Sequence, residues 1–267
     1  MKKICILLFL FLTLSAKEVQ ITNGQVVFLE FDKNNFAQAI GQDKNLPYFI
    51  YKDKIILTLA MPYKNPKDRE LLIKFKNNTE EKFFIKVIDG AYEKETLKVE
   101  TSKVNPPKDV LNRIKKEYDI AMKIYNTYTN EQLFKGKFIY PLDTKITSDF
   151  GKARVFNDML KSYHSGTDFR ANTGTKIQAS NDGIVRIASN RYYAGNSVVI
   201  DHGYGIYSQY YHLSKLFVKE GQRVKKSDII GLSGASGRVT GPHLHFGILV
   251  NGVQVDPLDF IDKFNKL

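Results

Sequence analysis

The chain has five histidines, His164, His202, His212, His243 and His245, all in its C-terminal half. Two of them stand in Gly241-Pro-His-Leu-His-Phe-Gly-Ile248, where apolar residues alternate with histidine or glycine. Side chains two apart on a strand share a face. His243 and His245 then point into one cavity while Leu244, Phe246, Ile248 and Val250 pack into a core, and Gly247 leaves room on the histidine face. Burying a pair of imidazoles without a shared ligand is costly, and a metal ion removes that cost. In His164-Ser-Gly-Thr-Asp168 a small turn separates an imidazole from a carboxylate. Neutral imidazole and carboxylate suit Zn²⁺, and two His with one Asp leave a tetrahedral position open, as in catalytic rather than structural zinc sites.

Amide hydrolysis at such a site also needs a group that takes a proton from water and returns it to the leaving amine. The H-E-x-x-H pattern that would signal a glutamate base is absent, so that role passes to histidine. Tyr210-Tyr-His-Leu-Ser214 follows Asp201-His-Gly203 at the end of an expected strand and supplies a further candidate. We assign the proton-handling role to His212 and His243, which leaves His164, Asp168 and His245 as metal ligands.

The elements that must position these residues are short strands. From Phe138 onward the β-type runs 183–188, 197–201, Ile206–Leu213, Ile229–Leu232 and His243–Val250, separated by glycine-containing turns, predict an antiparallel all-β domain. Neither a Rossmann nor a P-loop pattern occurs. Residues 17–102 carry the runs 26–31, 48–59, 71–75 and 82–87 between turn-forming clusters, which predicts a small β-sandwich-like domain. That segment holds no histidine, so it is assigned to packing, substrate positioning or partner binding. After Asn105-Pro-Pro107, the three- and four-residue spacing of Val110, Ile114, Tyr118, Ala121, Tyr125 and Tyr128 predicts a connecting helix, with Pro107 and Asp109 suited to its start. This helix, or the N-terminal domain, is also a candidate cover for the site. The fold class is therefore mainly β, divided as 1–16, 17–102, 103–137 and 138–267.

Residues 1–16 have the layout of a secretory signal peptide: Lys2 and Lys3, an apolar run from Ile4 to Leu14, then Ser15-Ala16. The run is short of the roughly 20 residues that span a bilayer, so we expect cleavage near Ala16 and membrane contact only during export. Cys5, the sole cysteine, lies inside this segment. A mature chain without thiols excludes disulfides, thiolate metal sites and cysteine nucleophiles. The formal net charge of +12, reduced by two once Lys2 and Lys3 are removed, fits either attraction to polyanions or a generally lysine-rich solvated surface, and does not decide between them. Outside the cell the polyanions are wall polymers or anionic membrane surfaces, with no nucleic-acid partner.

The motifs, in their order and intervals, resemble the LytM/lysostaphin-type zinc metallopeptidases. The matching stretches are Ile146-Thr-Ser-Asp-Phe-Gly151, His164-Ser-Gly-Thr-Asp168, Ala179-Ser-Asn-Asp-Gly183, Val199-Ile-Asp-His-Gly203, Tyr211-His-Leu-Ser214, Gly231-Leu-Ser-Gly234, Thr240-Gly-Pro-His-Leu-His-Phe-Gly247 and Asp256-Pro257. They cover nearly all of residues 138–260. The resemblance implies one zinc held by His164, Asp168 and His245, with His212 and His243 orienting or deprotonating water and stabilising the oxyanion. It implies a peptidoglycan endopeptidase acting on stem peptides and cross-bridges, with D-Ala to meso-diaminopimelate bonds preferred over glycine bridges and D,D-carboxypeptidase action as a variant.

It also implies an exported protein, periplasmic in a Gram-negative cell and otherwise secreted or wall-associated, with a wall-associated protein as a further partner for the N-terminal domain. The alternative is a noncatalytic wall-binding module that activates a partner amidase; the five intact positions argue against it. Asn157 matches a place where relatives carry an asparagine on the open zinc position in latent forms. His202 is assigned a structural hydrogen-bonding role, and Tyr210 and Arg238 are candidates either to line the cleft or to pack.

Overall fold

A computed structural model describes residues 16–98, 101–156 and 160–267. The expected export signal, with its cleavage point, and Asn157 lie outside the described residues, and no described helix is long and apolar enough to cross a membrane.

In the N-terminal half a five-stranded sheet, ordered Lys17–Thr22, Glu80–Ile88, Arg69–Phe75, Phe36–Gly41 and Lys44–Asn45, accompanies a three-stranded sheet of Val26–Asp32, Lys54–Ala60 and Tyr48–Tyr51. Residues of both sheets, among them Ile21, Phe36, Leu57, Leu59, Leu71, Ile73 and Ile85, share one apolar core, because alternate residues of each strand turn inward. The pairing of Lys17–Thr22 with Glu80–Ile88 is parallel. The run 48–59, expected as one strand, is a hairpin of Tyr48–Tyr51 and Lys54–Ala60. Lys52 and Asp53 have φ of 46° and 63°, the left-handed pair of a type I′ turn. No glycine marks that turn, so the apolar run reads as continuous.

The C-terminal half is built on an eight-stranded sheet. Its order is Ile146–Ser148, Thr167–Arg170, His243–Val250, Ile206–Leu213, Gly195–Asp201, Gly183–Arg191 and Arg223–Val224, with Val253–Val255 also paired to His243–Val250. Every pairing in it is antiparallel. Leu244, Phe246, Ile248 and Val250 are buried in the main core, which leaves the opposite face of their strand to the histidines.

Helix α1, Leu111–Tyr125, packs on that opposite face. Ala121 and Tyr125 join Ile187, Val199, Tyr207 and Leu249 in a small apolar cluster, whereas Tyr118 is 62% exposed. The expected stripe is thus buried only toward the C-terminal end of the helix. A second helix, α2 (Pro257–Phe264), was not expected; it spans only eight residues, too few for a helical period to stand out. Asp256 caps it by accepting from the backbone N–H groups of Leu258 and Asp259, with Pro257 in the first turn.

The two halves share a core. Val26, Phe49, Tyr51, Ile56 and Ala60 pack in one cluster with Phe134, Phe138, Phe260 and Phe264. Backbone contacts add to it: the Asp256 N–H donates to the Gly24 carbonyl at 2.7 Å, and Lys263 Nζ donates to the Val26 carbonyl at 2.9 Å. The strand Lys94–Leu97 leaves the sandwich and pairs in parallel with Ala153–Phe156, which forms a hairpin with Leu160–Tyr163. N-terminal residues therefore reach the neighbourhood of the histidines.

Candidate metal centre

The antiparallel register of Thr167–Arg170 with His243–Val250 sets Asp168 directly opposite His245 and Arg170 opposite His243. The turn before Thr167 returns His164 to the same place. At its tightest point a Cβ on Gly166 would stand 2.4 Å from the Phe246 carbonyl oxygen and 2.6 Å from His245 Nε2, so only glycine lets the chain pass.

His164 Nε2, Asp168 Oδ1 and His245 Nδ1 form a triangle with sides of 2.9, 3.0 and 2.9 Å. The three residues are 1%, 6% and 6% exposed. His164 Nδ1 donates to the Asp149 carbonyl at 2.7 Å, which fixes a proton on that nitrogen and turns Nε2 inward, as orienting partners of metal-bound histidines do. Burial lowers the pKa of His245 to about 4, against the opposing pull of Asp168. Burial alone would push the Asp168 carboxyl up, but hydrogen bonds and charge from His164 and His245 hold it well below the usual carboxylate range. With His245 neutral and Asp168 ionised, the three atoms share too few protons to satisfy one another at these distances. A divalent cation suits them, and two imidazoles with one carboxylate are a zinc set.

Arg154 stands behind the carboxylate. Its Nη2 donates to Asp168 Oδ2 at 2.9 Å and to Ser148 Oγ at 3.1 Å, and its Nε donates to Glu95 Oε2 at 3.1 Å. The sequence reading singled out neither Arg154 nor Glu95, since nothing in the linear chain connects residue 95 to residue 168; the link exists only through the parallel pairing of Lys94–Leu97.

His212 reaches the site through a bulge. Asn196 pairs with Leu213 but Val198 pairs with Tyr210, so Tyr211 and His212 together face Ser197, and His212 has φ of 65°. Strict alternation would send these two side chains to opposite faces; the bulge lets both line one cleft. His212 Nδ1 donates to the Ser236 carbonyl at 2.8 Å and His243 Nδ1 to the Gly241 carbonyl at 2.8 Å. Each ring thereby keeps Nε2 available, and the two ring centroids lie 4.9 Å apart. His243 Nε2 is 3.7 Å from Asp168 Oδ1. Burial, then the neighbouring His243 and His245, hold the pKa of His212 well below the usual imidazole value, so it is a neutral base at physiological pH. Tyr211 stacks on His245 with centroids 5.2 Å apart and planes 13° apart.

All five expected site residues thus lie in one place. Of the two roles open to Tyr210, it takes packing: it is fully buried, its hydroxyl accepting from the Ser180 N–H at 2.7 Å and the Ser208 hydroxyl at 3.0 Å. Arg238 does line it. His202 is buried away from the cluster, bonded to the Asp182 carbonyl and Ser208 Oγ, both at 2.7 Å.

A cleft of about 440 Å³ opens over the cluster, bounded by Tyr118 and Tyr125 of α1 on one side and by Arg154, Arg191, Tyr211, His212 and His245 on the other. A second, of about 300 Å³, is lined by Glu95, Asp168 and His243 and shares Arg154, His212 and Arg238 with the first. Together they form a groove beside the metal-ligand triangle.

Comparison with known proteins agrees with this geometry. The family model described as Peptidase family M23 matches residues 162–257. Over 122 residues the chain is 46% identical to the peptidoglycan DD-endopeptidase ShyA of Vibrio cholerae, an overlap of 45% of this chain and 28% of ShyA. Over 128 residues it is 39% identical to the DD-carboxypeptidase/endopeptidase Mpg of Neisseria meningitidis, an overlap of 46% of this chain and 29% of Mpg. The match therefore spans less than a third of the length of either relative. A crystal structure described as that of a candidate M23 peptidase from Pseudomonas aeruginosa aligns with a TM-score of 0.68 at 26% identity, covering 91% of this chain and 96% of that one, so the shared fold includes the N-terminal sandwich.

Proposed function

Because residues 162–257 carry a peptidase M23 domain, we propose that this chain is a zinc-dependent peptidoglycan endopeptidase. It acts outside the cytoplasm on D,D-peptide cross-links, with D,D-carboxypeptidase action at the same site. The observation that carries the reading is the buried triangle of His164, Asp168 and His245 beside two further imidazoles. The signal-peptide layout expected from the sequence of residues 1–16 supports the location, and the names of ShyA and Mpg support the substrate class.

His164 Nε2, Asp168 Oδ1 and His245 Nδ1 would hold the zinc. When bound, it supplies Lewis acidity that lowers the pKa of water and polarises a carbonyl. The chain's own residues do the rest. Arg154 and the Asp149 carbonyl orient the ligands from behind. His212, neutral and with Nδ1 committed to Ser236, presents Nε2 to take a proton from water and return it to the leaving nitrogen. His243, fixed through Gly241, presents its own Nε2 beside Asp168 to accept from the water and orient it; once that nitrogen carries a proton it donates to the developing oxyanion.

Mass analysis of products from defined muropeptides tests the assignment. Release of monomers from a 4→3 cross-linked dimer is expected. Loss of only the terminal D-Ala from a pentapeptide would reassign the protein as a carboxypeptidase. Stimulation of an amidase without any cleavage would support a noncatalytic module instead.

A further inference from the structure

Three arginines line the cleft over the metal-ligand triangle, and they are not equivalent. Arg154 is committed to Asp168, Ser148 and Glu95. Arg191, at the end of the Gly183–Arg191 strand, donates from Nε to the Ser197 hydroxyl at 2.8 Å, and the Tyr125 and Tyr211 hydroxyls lie beside its guanidinium. Its Nη2 is shut off from solvent with no acceptor, and no carboxylate pairs with this guanidinium among the described residues. A sheltered guanidinium N–H without an acceptor is costly. Such an atom on the wall of a cleft points to a ligand that completes it, and a planar fork of donors selects a carboxylate.

The position of Arg191 says which carboxylate. Its guanidinium carbon lies 4.8 Å from the centroid of the Tyr211 ring, and the same ring stacks on His245. Tyr211 is the neighbour of His212 on the bulge, and His212 is the residue that returns a proton to the leaving nitrogen. Arg191 therefore stands on the leaving-group side, one aromatic ring from the cluster.

Resting on the proposed peptidase activity, we propose that Arg191 is a specificity-determining residue whose guanidinium binds a free carboxylate carried by the carbon next to the scissile nitrogen. A D-Ala to diaminopimelate cross-link has such a group, and so does the terminal D-Ala of a pentapeptide; a glycine bridge has an amide there. One contact thus accounts for both D,D-activities and for rejection of glycine bridges. Tyr125 of α1, whose hydroxyl lies 3.2 Å from that of Tyr211, closes this side of the guanidinium, so entry of the ligand requires its displacement.

The test uses the zinc-loaded mature protein and four substrates: the cross-linked dimer and the pentapeptide, each with that carboxyl free or amidated. In the wild type, KM for each acid is expected to be at least about tenfold below that of its amide, the strength of a charge-assisted pair. Arg191→Gln closes both gaps and Arg191→Lys leaves part of each, since lysine keeps the charge without the fork. A gap in only one pair assigns the contact to that source alone. Equal KM values for acid and amide in an active wild type overturn the inference without recourse to any variant, as does an Arg191→Gln protein that keeps the full gap. A wild type that cleaves none of the four overturns the peptidase reading itself.

Discussion

The histidines are held by different partners, and their positions predict different failures. His212 touches none of the three ligand atoms but has its Nδ1 tied to Ser236. His212→Ala is therefore expected to keep its zinc while losing about 10²- to 10⁴-fold in turnover, checked by metal content and kcat on the same preparation. His202 behaves oppositely, being buried and away from the groove. Burial lowers its pKa from 6.5 to about 4. Between those values the unfolded chain binds the proton and the folded chain does not, so its contribution is whole above pH 6.5 and is lost as pH falls toward 4. The effect is on the order of 3 kcal/mol, and denaturant titrations across that range should be less steep in pH for His202→Gln. Residue identities were the most legible layer: His-x-x-x-Asp around a turn is a weak signal alone, and it points to a metal only beside His-x-His on a strand in a chain expected to lack thiols. Arg154, Glu95 and Arg191 were not legible, because their roles arise from pairings and stackings between distant segments.

Local backbone geometry brings those side chains together. Gly166 is the clearest case, since a methyl group there would collide with the strand that carries His245. Gly166→Ala is expected to weaken zinc binding by at least about tenfold, the scale seen when partners that orient ligands are removed, while the purified protein stays folded by circular dichroism. The bulge at Tyr211 and His212 is the other case. Period-two reading locates the Ile206–Leu213 strand but puts the two side chains on opposite faces, whereas a residue at φ of 65° turns both to the groove. The Tyr48–Tyr51 and Lys54–Ala60 hairpin escaped the sequence for a similar reason, because Lys52 and Asp53 adopt left-handed conformations that glycine or asparagine usually marks. Helix α1 was anticipated, also as a candidate cover for the site, and its exposed Tyr118 and buried Tyr125 form a wall of the groove.

At the scale of the whole molecule the N-terminal sandwich is bound to the sheet that carries the site. Phe49 stacks on Tyr204 with centroids 4.8 Å apart and packs edge-on against Phe134 at 6.0 Å, in the cluster that also contains α2. Phe49→Ala should cost about 3–5 kcal/mol and lower a single unfolding transition seen by calorimetry. Two separate transitions, only one of them moved, would mean that the halves are thermodynamically independent. This joint core was illegible in sequence because apolar strands in both halves look alike whether they face their own sheet or the neighbouring half. The most direct test of the account is made on the purified intact protein, by measuring bound zinc and muropeptide hydrolysis together as the metal is removed and restored, in the wild type and in His245→Ala. The account predicts about one zinc per chain, with hydrolysis lost on chelation and regained with zinc, and neither zinc nor hydrolysis in the variant. Undiminished hydrolysis by metal-free protein would contradict it.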